Sequence, residues 1–378
     1  LGLLIVMSGW IAGALEGSLQ SNIRLNTGHV QIRAESYEVE KMSLLSQDLI
    51  GNPGALTAQA SAIPEVRSAT PILWASGVLG TLQESVSLRV TGIVPGDAFY
   101  DPIREGLVDG DYLTADVRGE ILLGKRLADS MDIAVGQRVS LAVGNPDGAP
   151  EEGIFTVRGL FNTGIPGYDE NTVFMPLSQA QAFTDAGDHA SAIILMLFDQ
   201  ERAGEVAAEM RAPGLTVLTW EELNSVVLQT IQAGMAFYYI LYGIVILVVA
   251  VVIANTLLMA VFERTREMGI LAALGMKGRQ ILLMFLFEAV ILALAGIAVG
   301  IALGSAGVSY LATEGIYIGD ASASMVEGFA VGSTMYAKYS PGDVAGLSIA
   351  MLVVIVLVSL YPAWYAARLE PIKALQAQ

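Results

Sequence analysis

Few residues in this sequence belong to types that carry chemistry, and none stands at a spacing that would let it act. The chain holds two histidines, His29 and His189, and no cysteine. The histidines lie far apart and form no H-E-x-x-H or related pattern, so each reads as a core or surface histidine rather than a metal ligand. Without cysteine there is no thiol nucleophile, no cysteine zinc site and no disulfide. There is no nucleophile elbow, Walker A sequence or glycine-rich dinucleotide loop, and "GKRLADS" at 124–130 lacks the rest of a phosphate-binding loop. One acid, Glu288, interrupts an otherwise apolar run. A carboxylate at membrane depth is a candidate functional group, or else reaches the interface or bonds a neighbouring helix. These residues make no catalytic set, so any energy the protein uses must come from a partner.

The elements that hold these residues follow from composition. At 54% hydrophobic and 15% charged, the chain is too apolar for an ordinary soluble protein and too charged to lie wholly in a membrane. The net charge is −17, and residues 16–234 hold 13 Lys+Arg against 29 Asp+Glu. Such acidity excludes a nucleic-acid partner, which needs a basic footprint. A large domain without disulfides must be held by its core.

Four spans are expected, which makes membrane lipid a partner. Residues 235–261 carry no charge and make about 40 Å of helix, more than a ~30 Å hydrocarbon core. Residues 281–304 form a second uninterrupted run apart from Glu288, and 344–367 a third, with Pro362 near its end. Residues 1–15 are apolar but only about 22 Å long as a helix. They begin without Met and read as the remainder of a first span whose start is missing. A signal peptide would show a basic n-region and a small-residue cleavage site, and "EGSLQSNIRL" offers no clear one.

Arg264, Arg266, Lys277, Arg279, Arg368 and Lys373 place segment 263–280 and tail 368–378 in the cytoplasm. Loop 305–343, with Lys338 among Glu314, Asp320, Glu327 and Asp343, then lies outside, and parity puts residues 16–234 outside too. Tyr238, Tyr239 and Tyr242, and Tyr361, Trp364 and Tyr365, suit interfacial belts. Gly9, Gly13 and Gly17 in the first span, and Gly296, Gly300 and Gly304 in the third, repeat at the spacing that lets helix backbones approach closely.

In residues 16–234, "HVQIRA", "VSLRVTGIV", "RVSLAV" and "FTVRGLF" read as strands. "GALTAQASAI", "LSQAQAF" with Ser178 as N-cap, and "QERAGEVAAEMRA" read as helices. Thr219 and Glu222 stand at capping-box spacing and would start a helix running unbroken into the second span, a stiff link. The expected fold is a membrane protein of four transmembrane helices with a large α+β extracytoplasmic domain, in two lobes, between helices 1 and 2. Its roughly 220 residues exceed the usual single-domain size.

The run "ERTREMGILAALGMKGRQILLMFLFEAVILALAG" from Glu263 and the tail "YPAWYAARLEPIKALQ", with this span order, closely resemble the FtsX/MacB-like permeases of ABC transporters. "EILLGKRLADSMDIAVGQRVSL" and "FTVRGLFNTGIPGYDENTVFMPLSQAQAF" are most similar to the lipoprotein-releasing (Lol) branch. The resemblance implies a bacterial inner-membrane permease with its large domain in the periplasm, paired with a second, identical or paralogous permease. Two cytoplasmic ATPase subunits would hold ATP and Mg, none being held by this chain. ATP binding would move the periplasmic domains, a mode called mechanotransmission. It places the coupling helix against the ATPase at 263–280, and with it Glu263, Arg264, Arg266, Glu267, Gly269, Leu271, Leu274 and Gly275.

The residues of that segment agree. Met268, Ile270, Leu271, Ala273 and Leu274 spread around a helical wheel, so the helix needs cover on more than one side. The membrane and neighbouring spans supply one cover and a cleft in a cytoplasmic partner the other, while Gly275 and Gly278 end the helix and turn the chain into the third span. One feature departs from the Lol pattern: "GNPDGAPEEGI" is short where the chaperone-docking subunit carries an extended hairpin, which argues against a periplasmic chaperone docking on this subunit. The expected cargo is lipoprotein or another amphipathic molecule. The alternatives are a MacB-like peptide or drug exporter working with an adaptor, and an FtsX-like regulator of an extracellular hydrolase.

Overall fold

The apolar runs become four long helices, Gly2–Asn22, Ser225–Glu263, Gly278–Thr313 and Pro341–Ala367, each long and apolar enough to cross a membrane. The computed structural model describes residues 1–81, 84–115, 118–146, 149–319 and 331–368. The chain divides into a helical unit of residues 1–15, 229–316 and 335–378 and an α+β unit of residues 16–228 and 317–334. The third long helix runs past Gly304 to Thr313, so the segment expected to loop from residue 305 begins as helix. Ser333 N–H donates to the Gly164 carbonyl at 3.1 Å, within the α+β unit.

Within the helical unit, glycines set how closely the first and third long helices approach. A Cβ at Gly304 would stand 2.9 Å from Ile5 Cβ, one at Gly300 3.0 Å from Leu1 Cβ, and one at Gly9 2.9 Å from Val308 Cγ2. Gly13 abuts the Tyr336 carbonyl. Gly17 and Gly296 do not share this role: a Cβ at either meets nothing within 4 Å. Gly296 instead lines an apolar cavity of about 350 Å³ with Val249, Ile253, Ala293 and Met351. Of the belt tyrosines, Tyr242 is buried in a cluster with Leu4, Ala293, Ile297, Met351 and Ile355, whereas Tyr239 and Tyr361 are exposed.

The α+β unit is built on strands β1 (Val30–Ala34), β2 (Ile50–Gly51), β3 (Val66–Gly80), β4 (Ser85–Ile93), β5 (Leu107–Gly110), β6 (Glu120–Gly124), β7 (Arg138–Gly144), β8 (Pro150–Phe161), β9 (Thr172–Pro176), β10 (His189–Ala190), β11 (Ala192–Leu197) and β12 (Leu215–Thr219). Ten of them form one sheet ordered β12-β1-β11-β3-β4-β9-β6-β8-β5, with β7 bridging β3 and β8. Strand β3 is 15 residues long and serves two cores. Near its start it pairs with β11, where Val66 and Ala69 join Val30, Ile32, Ile193 and Val206. Its far half pairs with β4 and β7, where Leu73 and Leu79 join Ile121, Leu141, Phe161 and Phe174.

Two local expectations change. Helix Leu177–Phe183 has Pro176 at its N-cap, with no side-chain cap, so Ser178 lies inside the helix. Thr219 does close a capping box with Glu222, yet that helix, Trp220–Leu223, stops at Asn224 before Ser225–Glu263 begins. Asn224 is buried and binds the Trp220 carbonyl at 2.7 Å through Nδ2, while its Oδ1 accepts from Asn22 at 2.5 Å. These side-chain bonds hold Asn224 in a non-helical turn, φ −104° and ψ 19°, and interrupt the expected continuous link.

Candidate functional site

Between the second and third long helices the chain forms a short helix, Thr265–Ala273, and its two faces differ. Met268 is 2% exposed and packs with Val261, Ile281, Phe285, Ala363 and Ala366. Gly269 beside it is also buried. At 100° per residue Ile270 and Leu274 point away from Met268, and they are 47% and 80% exposed. Leu271 is half-buried between the two faces, while Glu263, Arg266 and Glu267 are exposed.

Both ends are fixed. At the C-terminus Gly275 takes φ +94° and Met276 N–H donates to the Leu271 carbonyl at 3.1 Å, the six-to-one bond of a Schellman motif. Gly278 does not end this helix; it opens the next, where a Cβ would stand 2.7 Å from the Ala367 carbonyl. At the N-terminus Arg264 Nε donates to Glu267 at 2.9 Å and Nη1 to both Glu288 oxygens at 3.1 and 3.2 Å. Glu288, ten residues into its helix and so about 15 Å along it, thus has a partner that sequence spacing alone could not supply.

The histidines do structural work. His29 Nδ1 accepts from Leu197 N–H at 3.0 Å, and burial lowers its pKa below the ordinary value, which keeps that nitrogen free to accept. His189 Nδ1 lies 2.8 Å from the Ala186 carbonyl. At the facing ends of strands β7 and β8 Gly144 pairs with Pro150, and Asn145 N–H donates to the Ala149 carbonyl at 2.9 Å.

This short helix between two spans is thus packed on one side, at Met268, and apolar and exposed on the other, at Ile270 and Leu274. Residues 1–212 match the MacB-like periplasmic core domain and residues 239–371 the FtsX-like permease C-terminal family. The chain belongs to the FtsX/MacB-like permeases of ABC transporters. Over 337 residues it is 24% identical to the lipoprotein-releasing system transmembrane protein LolC of Neisseria meningitidis, covering 82% of this chain and 78% of that one. Over 353 residues it is 25% identical to the ABC transporter permease YknZ of Bacillus subtilis, covering 87% and 82%. The macrolide export ATP-binding/permease protein MacB of Syntrophobacter fumaroxidans is 36% identical over 124 residues, 33% of this chain and 15% of that one. Membership implies an ATPase partner for the permease.

Proposed function

We propose that this permease is the membrane half of a mechanotransmission machine in the bacterial inner membrane. It draws lipoprotein or a similar amphipathic cargo from the outer leaflet into the periplasm. ATP and Mg act on separate cytoplasmic ATPase subunits, and a second permease, identical or paralogous, completes the assembly. The chain supplies no catalytic group of its own. The lipoprotein-releasing relatives support this cargo; YknZ and MacB relatives keep peptide or drug export as the second reading. The short connection between β7 and β8, residues 145–149, supports a subunit on which no periplasmic chaperone docks by a hairpin, so that contact would fall to the second permease.

The observation that carries the proposal is the face made by Ile270 and Leu274, exposed beside a Met268 that is fully packed. Seated in an ATPase cleft, Leu274→Asp leaves a carboxylate without solvent or counterion, a penalty of several kcal/mol. On a wetted face the same change shifts stability by about 0.5 kcal/mol. Leu274→Asp, and Leu271→Asp beside it, are therefore expected to abolish ATPase copurification or its stimulation by cargo. Leu274 is 80% exposed, so the permease alone should insert and melt as wild type with Leu274→Asp. Wild-type copurification and stimulation with both variants would overturn the docking role.

A further inference from the structure

The chain passes from the α+β unit back into the helical unit between residues 334 and 335, and backbone hydrogen bonds pin it on both sides of that point. On the α+β side Ser333 N–H donates to the Gly164 carbonyl at 3.1 Å, and the Ser333 carbonyl accepts from Ile318 N–H at 2.9 Å. The loop that receives Ser333 is itself fixed. Gly164, at φ +78°, donates its N–H to Asn162 Oδ1 at 2.8 Å, and Thr163 N–H donates to both oxygens of the buried Asp169 at 3.1 Å. Val331, two residues before Ser333, is buried.

On the helical side the chain lies against the first and third long helices. Ala337 N–H donates to the Leu311 carbonyl at 3.2 Å and Lys338 N–H to the Gly9 carbonyl at 2.8 Å. Ala337 is buried in a cluster with Ile5, Val308 and Val344. Glycines of the first helix make this seat. A Cβ at Gly13 would overlap the Tyr336 carbonyl oxygen and stand 2.6 Å from Lys338 N, and one at Gly9 would stand 3.0 Å from the Lys338 carbonyl oxygen. Backbone atoms cannot turn aside as the end of a flexible side chain can, so residue 13 has room for glycine alone. Gly17, one turn further along, meets nothing within 4 Å. Gly9 and Gly13 therefore clear a path for a crossing chain, whereas Gly300 and Gly304 admit Leu1, Gly2 and Ile5 of a helix.

We infer that residues 333–338 form a strap that limits how far the α+β unit can travel from the helical unit. The pins at Ser333 and Ala337 are four residues apart, a reach of about 14 Å at most. Thr334–Met335 between them is already a strand, so little length is held in reserve. A larger movement must break one pin or the other. The strap does not depend on the cargo proposed above, and its test needs no ATPase.

The full chain has no native cysteine, so spin labels can be placed on Asp109→Cys and Tyr310→Cys, exposed positions in the α+β and helical units. Their separation is measured by pulsed electron resonance in nanodiscs. Inserting Gly-Gly between Met335 and Tyr336 adds about 7 Å of reach and is expected to broaden the distance distribution by several ångströms. A segment that merely connects would accept the insertion without change. Gly13→Ala is expected to force the chain off its seat, broadening the distribution and raising hydrogen exchange of the Ala337 and Lys338 amides about tenfold or more, as loss of both bonds requires. Gly17→Ala is the control and should match wild type in both measurements, since alanine there touches nothing and suits a helix better than glycine. If Gly13→Ala fails to fold, the insertion variant decides. A distribution as narrow with Gly-Gly as without it, amide protection that survives Gly13→Ala, or equal changes from Gly17→Ala overturns the strap.

Discussion

Asp169 shows how a single residue escapes a sequence reading. In "NTGIPGYDEN" it looks like an ordinary turn acid, yet it is 1% exposed and its two oxygens accept from Thr163 N–H at 3.1 Å, one also from Thr163 Oγ1 at 2.7 Å. Burial, against the Thr163 bonds, raises its pKa to about 6. A raised acid holds its proton more tightly in the folded state than in the unfolded chain. Its contribution is therefore greatest below about pH 4, declines as pH rises towards 6, and is level above. Two units correspond to about 3 kcal/mol at most. Melting the α+β unit of wild type and Asp169→Asn from pH 4 to pH 7 should show wild type losing stability relative to the variant across that window; a constant difference at every pH would refute the raised pKa.

At the scale of the element, the segment 263–280 was largely readable. Its basic ends, its apolar wheel and Gly275 fix a short, terminated helix by local rules alone. Which side is inward was not readable, since Met268 and Leu274 are equally apolar; packing against Val261 and Phe285 decides it. The Arg264–Glu288 pair joins residues 24 apart on different elements, so no window of sequence reveals it. We expect it to hold the start of the short helix to the third span. Neutralising one partner, Arg264→Gln or Glu288→Gln, should weaken cargo-stimulated ATPase. Neutralising both should recover part of the loss, with a coupling of about 1 kcal/mol in a double-mutant cycle, within the range for contacting residues. Additive losses would show that the two side chains act independently, as exposed pairs commonly do.

For the whole molecule, the cytoplasmic side rests on the distribution of lysine and arginine. The chain has no native cysteine, so a single cysteine at exposed Asp109 or Glu151 should react with an impermeant maleimide on intact cells, while one at Lys277 should react only after lysis. Labelling at 277 in intact cells would reverse or break the four-span order. The sequence by itself determined the spans, the α+β character of the domain and the short helix between spans, because each depends on local composition or periodicity. It also showed that glycines would bring helices together. Only the tertiary structure decided that Gly9, Gly13, Gly300 and Gly304 touch neighbours while Gly17 and Gly296 do not, that Asn224 breaks the helix before the second span, and that one long strand, β3, carries two cores. Each of these turns on which residues distant in sequence come within a few ångströms, and that is set by packing the whole chain at once.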